Sequence, residues 1–269
     1  MKTATRTKPL VLRPLILSVF LSLTVLSLII LFLQPHYQKT TTNSSIVSHQ
    51  PRKSFSEDNK NNVNGGTDDL RIRPGFNSYD SYIKRQLDKT LNPKLRKVWM
   101  TRDWDRKINV FSKFFSNLRN ENLLSNDSKA LCIGARVGQE VAALKRIGVA
   151  DSVGIDLVPY PPLVLKGDFH DQPFENNTFD FEFSNVFDHA LYPSKFVGEI
   201  ERTLKPGGVC VLHVALSRRA DKYSANDLYS VGPLMKMFRV SEVVHVRSVD
   251  GFGLDTEVVF RKKINNQRL

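Results

Sequence analysis

The chain has 269 residues, 41% of them apolar, which suffices for one ordinary domain with a buried core plus appendages. Of the formal net charge of +12, residues 1–53 hold +7 and residues 261–269 another +4, leaving about +1 on residues 54–260. A nucleic-acid binder carries its basic excess on the folded domain; here the excess sits in the tails, and no nucleic-acid partner is expected.

Residues 1–14 form a basic tail with Lys2, Arg6, Lys8 and Arg13. Leu15 to Leu33 then run LILSVFLSLTVLSLIILFL, 19 residues without a charge. That is close to the roughly 20 a helix needs to cross a bilayer. A cleaved signal peptide has a shorter apolar region ending at small residues, whereas this run ends LFLQPHYQ. The reading is an uncleaved anchor with the lipid bilayer as partner. The basic flank places the N-terminus in the cytosol by the positive-inside rule. The rest then lies in a lumen or outside, as in a single-pass type II membrane protein. Three N-x-Ser/Thr sequons, at Asn43, Asn126 and Asn176, fit a glycoprotein on that side. Residues 34–70 are rich in Ser, Thr, Asn, Gln and Lys, without periodicity. Such a segment buries too little apolar surface to offset its chain entropy, so a flexible stem is expected. Anchor, stem and lumenal domain together are, by analogy, the layout of many Golgi enzymes.

Residues 71–128 read as helices packed on a domain spanning 129–269. Tyr79–Leu91 is a short helix, and Pro93 starts another. Trp104, Ile108, Phe111, Phe115 and Leu118 fall on one helical stripe. From Ala130 the pattern alternates: strand Ala130–Ile133, helix Gln139–Ile147, strands Ser152–Asp156, Val164–Phe169 and Phe179–Asn185, and helix Pro193–Leu204. Strand Val209–Leu216, helix Ala225–Phe238 and strands Val240–Val249 and Glu257–Lys262 complete it. Strand–helix alternation implies an α/β, doubly wound, mostly parallel sheet covered on both faces. The last two strands, joined by Asp250-Gly251-Phe252-Gly253, read as an antiparallel pair. Cys132 and Cys210 lie inside apolar runs with no metal or redox spacing, so both are expected as buried free thiols.

Ligands of such sheets bind outside the carboxyl ends of the strands. The first strand runs into Gly134-Ala135-Arg136-Val137-Gly138, where glycines let backbone approach a ligand at a helix N-terminus. The second ends in Asp156-Leu157, about 20 residues beyond the glycine turn, the spacing of a carboxylate that accepts both ribose hydroxyls. The third ends GDFH, where Asp168 could accept from an adenine amino group and Phe169 stack on the ring; a solvated carboxylate and a core phenylalanine are the alternative. The fourth ends SNVFDH: Asn185 is a strand end facing the ligand, and Asp188 with His189 is a candidate acid/base pair. For His189 a bond to the loop backbone is the competing reading. Asp168, His170, Asp171, Asp188 and His189 include metal-type donors, but nothing fixes a geometry, and no metal is assigned.

The segment FDFEFSNVFDHALYPSKFVGEIERTLKPGGVCVLHV resembles the later motifs of class I S-adenosylmethionine-dependent methyltransferases, in the type 11 branch. Phe179, Asp180, Ser184, His189, Glu199, Arg202 and Leu204 through Gly208 carry the pattern, and GDFHDQPFENNTFD resembles its upstream stretch. The resemblance covers roughly residues 130–262 and is strongest to plant membrane-anchored members. It implies the fold of that class, S-adenosylmethionine as cofactor, an unknown methyl acceptor, and cofactor contacts from Gly134, Ala135, Arg136, Gly138, Asp156, Leu157, Asp168, Phe169 and Asn185. Two positions depart from it. Cys132 stands where the family has an acid, and Arg136 where it has the central glycine. Arg136 either pairs with the cofactor's methionine carboxylate or obstructs it. A methyltransferase-like module that tethers or scaffolds without catalysis is the alternative function.

Overall fold

The computed structural model describes residues 69–216 and 221–264, and these fall within one compact unit. The expected anchor at 15–33, nearly all of the stem, and Asn43 lie outside the described residues. Among the described residues no helix is long and apolar enough to cross a membrane.

The chain enters through a short strand, β1 (Leu70–Ile72), followed by three helices: α1 (Tyr79–Thr90), α2 (Pro93–Met100) and α3 (Trp104–Asn120). Ser78 caps α1 in a reciprocal box with Ser81, and Asn92 caps α2 just before Pro93, where the missing N–H costs nothing. Then come β2 (Ala130–Ile133), α4 (Gln139–Arg146), β3 (Ser152–Asp156), β4 (Val164–Lys166), β5 (Phe179–Ser184), α5 (Pro193–Thr203) and β6 (Leu204–Val214). The chain ends in β7 (Asn226–Leu228), α6 (Gly232–Met237), β8 (Ser241–Gly251) and β9 (Leu254–Lys262).

Seven strands form one sheet in the order β4-β3-β2-β5-β6-β9-β8. β4, β3, β2, β5 and β6 pair in parallel, and β9 and β8 are antiparallel. This is the class I methyltransferase fold, with the antiparallel last strands expected from the sequence. Apolar side chains are buried on both faces: Phe111, Phe115 and Leu144 pack against Phe181 and Phe183 on one, and Phe196, Ile200 and Leu234 against Leu131 and Leu212 on the other. β5 lies between β2 and β6, separating Cys132 from Cys210; both are buried and free.

Several element boundaries differ from the sequence reading. The helix expected over Ala225–Phe238 is confined to α6, because Pro233 is tolerated only in a first turn. Its upstream part is β7, which pairs antiparallel with β1 in a separate two-stranded sheet. Leu70, placed at the end of the stem, is therefore part of this folded pair. The strand expected over Val164–Phe169 stops at Lys166: Gly167 bonds back to the Asp156 carbonyl, and Asp168–Asp171 closes a tight turn.

Candidate cofactor site

A cavity of about 420 Å³ opens at the carboxyl ends of β2, β3 and β5. That is within the roughly 300–1,000 Å³ of small-molecule sites. Of the residues singled out in the sequence, Gly134, Arg136, Asp156, Leu157, Phe169, Asn185, Asp188 and His189 line it. Ala135, Gly138 and Asp168 are not among its lining residues.

Gly134 and Gly138 shape the loop rather than merely clear it. Both hold positive φ, and a Cβ at Gly134 would fall 2.4 Å from Val186, at the end of β5. At Gly138 it would fall 2.7 Å from Leu163. Arg136 also takes a positive φ, of 52°, at a cost of roughly 1–2 kcal/mol for a residue with a Cβ. Arg136 lies with its guanidinium 5.5 Å from the Trp99 ring and 3.6 Å from Glu140, itself buried. Arg136 Nε is buried without a hydrogen-bond partner.

Asp156 is the hinge of this wall. Its Oδ2 accepts the Arg136 backbone N–H at 2.9 Å and its Oδ1 that of Val158 at 3.2 Å. Burial pushes its pKa up, and the two backbone donors oppose that. Each carboxylate oxygen has a further lone pair for a ligand hydroxyl. Asn185 donates to Glu140 Oε1 at 3.1 Å.

Asp168 bonds to α1 and to its own turn. It accepts from the Tyr79 hydroxyl and from the His170 backbone N–H, the latter at 2.8 Å. Burial alone would raise its pKa, but these bonds and His170 outweigh that and hold it down. The carboxylate ties α1 to the turn after β4. His189, read as a base, has both ring nitrogens committed. Lys89 Nζ donates to Nε2 at 2.9 Å, and Nδ1 donates to Gln86 Oε1 at 3.1 Å. Burial lowers its pKa, so the ring is neutral with its lone pair already occupied. Asp188 accepts from the Ser224 hydroxyl and borders the cavity. Among the described residues no group of three or more His, Cys, Asp or Glu gathers as a metal set.

The opposite wall was not found from sequence. Gln86 and Lys89 come from α1, Lys107 from α3, and Gly251, Phe252 and Gly253 from the β8–β9 turn. Lys107 is buried, with its ammonium 5.1 Å from the Phe252 ring. Burial, then the charge of Arg136, push its pKa down to about 8. It has no hydrogen-bond acceptor among the described residues. A signal existed: Lys107 lies three residues after Trp104 and four before Phe111, inside the apolar stripe of α3.

The lining thus offers a buried carboxylate, Asp156, an aromatic side chain, Phe169, and two cations, Arg136 and Lys107. Residues 131–212 match the methyltransferase-domain family. No curated protein matches the chain. Among solved structures it is similar to the 1,6-didemethyltoxoflavin-N1-methyltransferase of Burkholderia thailandensis, crystallised with 1,6-didemethyltoxoflavin and S-adenosylhomocysteine. The identity is 16%, covering 72% of this chain and 94% of that one, at a TM-score of 0.55. It is also similar to a SAM-dependent methyltransferase of Aquifex aeolicus, 20% identical over 55% of this chain and 88% of that one, at a TM-score of 0.44. The described body shares the class I fold of the first of these structures.

Proposed function

We propose that the chain is an S-adenosylmethionine-dependent methyltransferase, held at a secretory-pathway membrane by residues 15–33, with its catalytic domain in the lumen. The observation that carries the catalytic part is the convergence of Gly134, Asp156, Phe169 and Asn185 on one cavity closed by Arg136 and Lys107. In this reading Asp156 holds the ribose, Phe169 packs on the adenine, and Arg136 with Lys107 receives the methionine carboxylate. S-adenosylmethionine supplies an activated methyl group when bound. The protein's part is to orient the acceptor in line with it and exclude water. The neutral, donor-occupied His189 serves as a positioning residue, and Asp188 stands where the acceptor would enter.

Calorimetric titration of the full chain with S-adenosylmethionine tests the reading; micromolar binding is expected, and no binding would favour a non-catalytic tethering module instead. The topology rests on the charge-free run, its basic N-terminal flank and the sequons, of which Asn126 and Asn176 are exposed in turns. In microsomes, residues beyond Gln34 should resist added protease, with glycan on Asn43. Digestion of the domain in intact vesicles would reverse the orientation.

A further inference from the structure

β8 is an edge strand of the seven-stranded sheet and pairs with β9 alone among the described residues. Its outer row of N–H and C=O groups, along 11 residues, therefore meets no described backbone. A free edge of that length is a template for a further strand. Val244 and Val246 on it are 40% and 43% exposed, and Val240 just before it 43%. The segment from Arg239 to Asp250 reads RVSEVVHVRSVD and is complementary to itself in reverse. Laid antiparallel on a second copy with Val244 facing His245, Val243 meets Val246 and Glu242 meets Arg247. Further out, Ser241 meets Ser248, Val240 meets Val249 and Arg239 meets Asp250. Other registers lose the match. One centred on Val246 sets Glu242 against Asp250, and one centred on Arg247 sets two arginines face to face.

The faces match as well. Directly opposed residues of an antiparallel pair share a face of the sheet. β9 sets Glu242 against Arg261 and Arg247 against Glu257, so both lie on one face; Val243, against Phe260, and Val246, against Val258, lie on the other. In an unbroken strand residues an odd number of positions apart, as these are, point to opposite faces. The bulge between Val243 and His245 adds the residue that brings each pair to one side. A bulge on a free edge ordinarily discourages pairing; here it makes this register possible. Arg239, Glu242 and Asp250 are exposed and have no ion-pair partner among the described residues. Arg247 uses Nε and Nη1 on Glu257 and Glu121, at 2.6 Å each, and its Nη2 bonds no described residue. A strand of another protein would have to reproduce this alternation of charge and valine, whereas a second copy supplies it by symmetry.

We propose that two copies of the chain join edge to edge through β8, antiparallel about a two-fold axis between Val244 and His245, into one continuous sheet. The contact is isologous, so each cross-strand pair is made twice. Ion pairs of Glu242 with Arg247 and of Arg239 with Asp250 flank the paired valines. β8 ends in Gly251, which lines the first cavity, so the joined edge runs up to that cavity's wall in each copy. The inference needs neither the cofactor reading nor the membrane reading.

Light scattering on the full chain eluting from a sizing column in detergent tests this, and two copies per particle are expected at micromolar concentration. Arg239→Asp and Asp250→Arg should each weaken association roughly tenfold, because each sets like charges opposite one another twice. The double variant Arg239→Asp/Asp250→Arg should recover the parent's affinity. Neither side chain is bonded within the described chain, so both variants should fold, and thermal melts of the same samples check that. Val243→Cys/Val246→Cys should form disulfides between copies on mild oxidation, since directly opposed residues lie within reach of one. Val246→Cys alone should not, because Val243 faces it. A monomer at every concentration would overturn the proposal. So would a dimer indifferent to both charge reversals, which would place the joint in the apolar run 15–33, or a double charge variant no tighter than the single ones. Bridging by Val246→Cys alone would overturn the register.

Discussion

The two walls of the first cavity are built by opposite routes. One comes from consecutive βα units: Gly134, Arg136, Asp156, Phe169 and Asn185 each follow a strand of the same parallel sheet, within some fifty residues of chain. The other is assembled from α1, α3 and the β8–β9 turn, which are far apart in sequence. The first wall is held by backbone hydrogen bonds to one carboxylate, Asp156. The second is held by side-chain packing around Phe252, which sits at a positive φ of 60° and is kept there by Phe111 and by the cations Arg106 and Lys107 near its ring. In the proposed reading the strand-end wall holds the ribose and adenine, and the remote wall adds Lys107 for the carboxylate.

That division predicts unequal consequences of mutation. Asp156→Ala should have the largest effect. It removes acceptors for two ribose hydroxyls, each charge-assisted bond worth about 1.5–3 kcal/mol, and frees the Arg136 and Val158 amides that shape the loop. S-adenosylmethionine binding should weaken a hundredfold or more, with a lower melting temperature as well. Asp156→Asn, which keeps one acceptor oxygen, should lie between. Calorimetry and thermal melts check both. An Asp156→Ala protein that still bound within tenfold of the parent would remove Asp156 from its central place.

The same division explains what was legible in the sequence. The parallel sheet, its order by resemblance, and most of the strand-end residues follow from alternation and short motifs, because each ligand-facing residue there is fixed by the strand just before it. The Asp168 bond to Tyr79, 89 residues away, was not legible, because no local pattern marks it. The same holds for the contacts of His189 with Lys89 and Gln86. His213 sat inside an apolar strand, and its partner Glu257 is 44 residues further on; nothing local marks either as a pair. β7 was hidden because a three-residue strand has too little pattern to outweigh the helix that follows it.

Lys107 probes the remote wall with a smaller effect. Lys107→Met should weaken S-adenosylmethionine binding about tenfold, the loss of one charged hydrogen bond. The pH dependence is more diagnostic. Below pH 8 the buried ammonium is charged and ready for a carboxylate. Above about 8 the free protein has lost that proton and must take it up on binding, so affinity should fall as pH rises from 8 to 10. In Lys107→Met this component disappears, while the ligand's own ammonium titrates equally in both proteins and cancels in the difference. The sign for folding is the reverse. A lysine whose pKa is depressed in the fold destabilises it while charged, so this destabilisation is relieved as pH rises from about 8 towards the unfolded value of 10.5. Parallel slopes for parent and variant would place the carboxylate elsewhere.

Arg136→Gly should have the smallest net effect, because two consequences oppose each other. Glycine relieves the left-handed strain, roughly 1–2 kcal/mol, and restores the loop residue usual in the resembling family. It also removes a cation from beside the buried Glu140, whose Oε2 has no partner, and opens the space beside Trp99. If Arg136 receives the methionine carboxylate, the loss of one charged contact dominates and binding weakens a few-fold, while the melting temperature barely moves. Arg136→Lys separates charge from shape: it keeps the cation but not the planar group that lies by Trp99, and it should fall between parent and glycine variant. Tighter binding in Arg136→Gly would mean that the guanidinium obstructs the cofactor. The first wall would then hinder the cofactor that the proposed reading has it hold, and the contrast between the walls would be inverted.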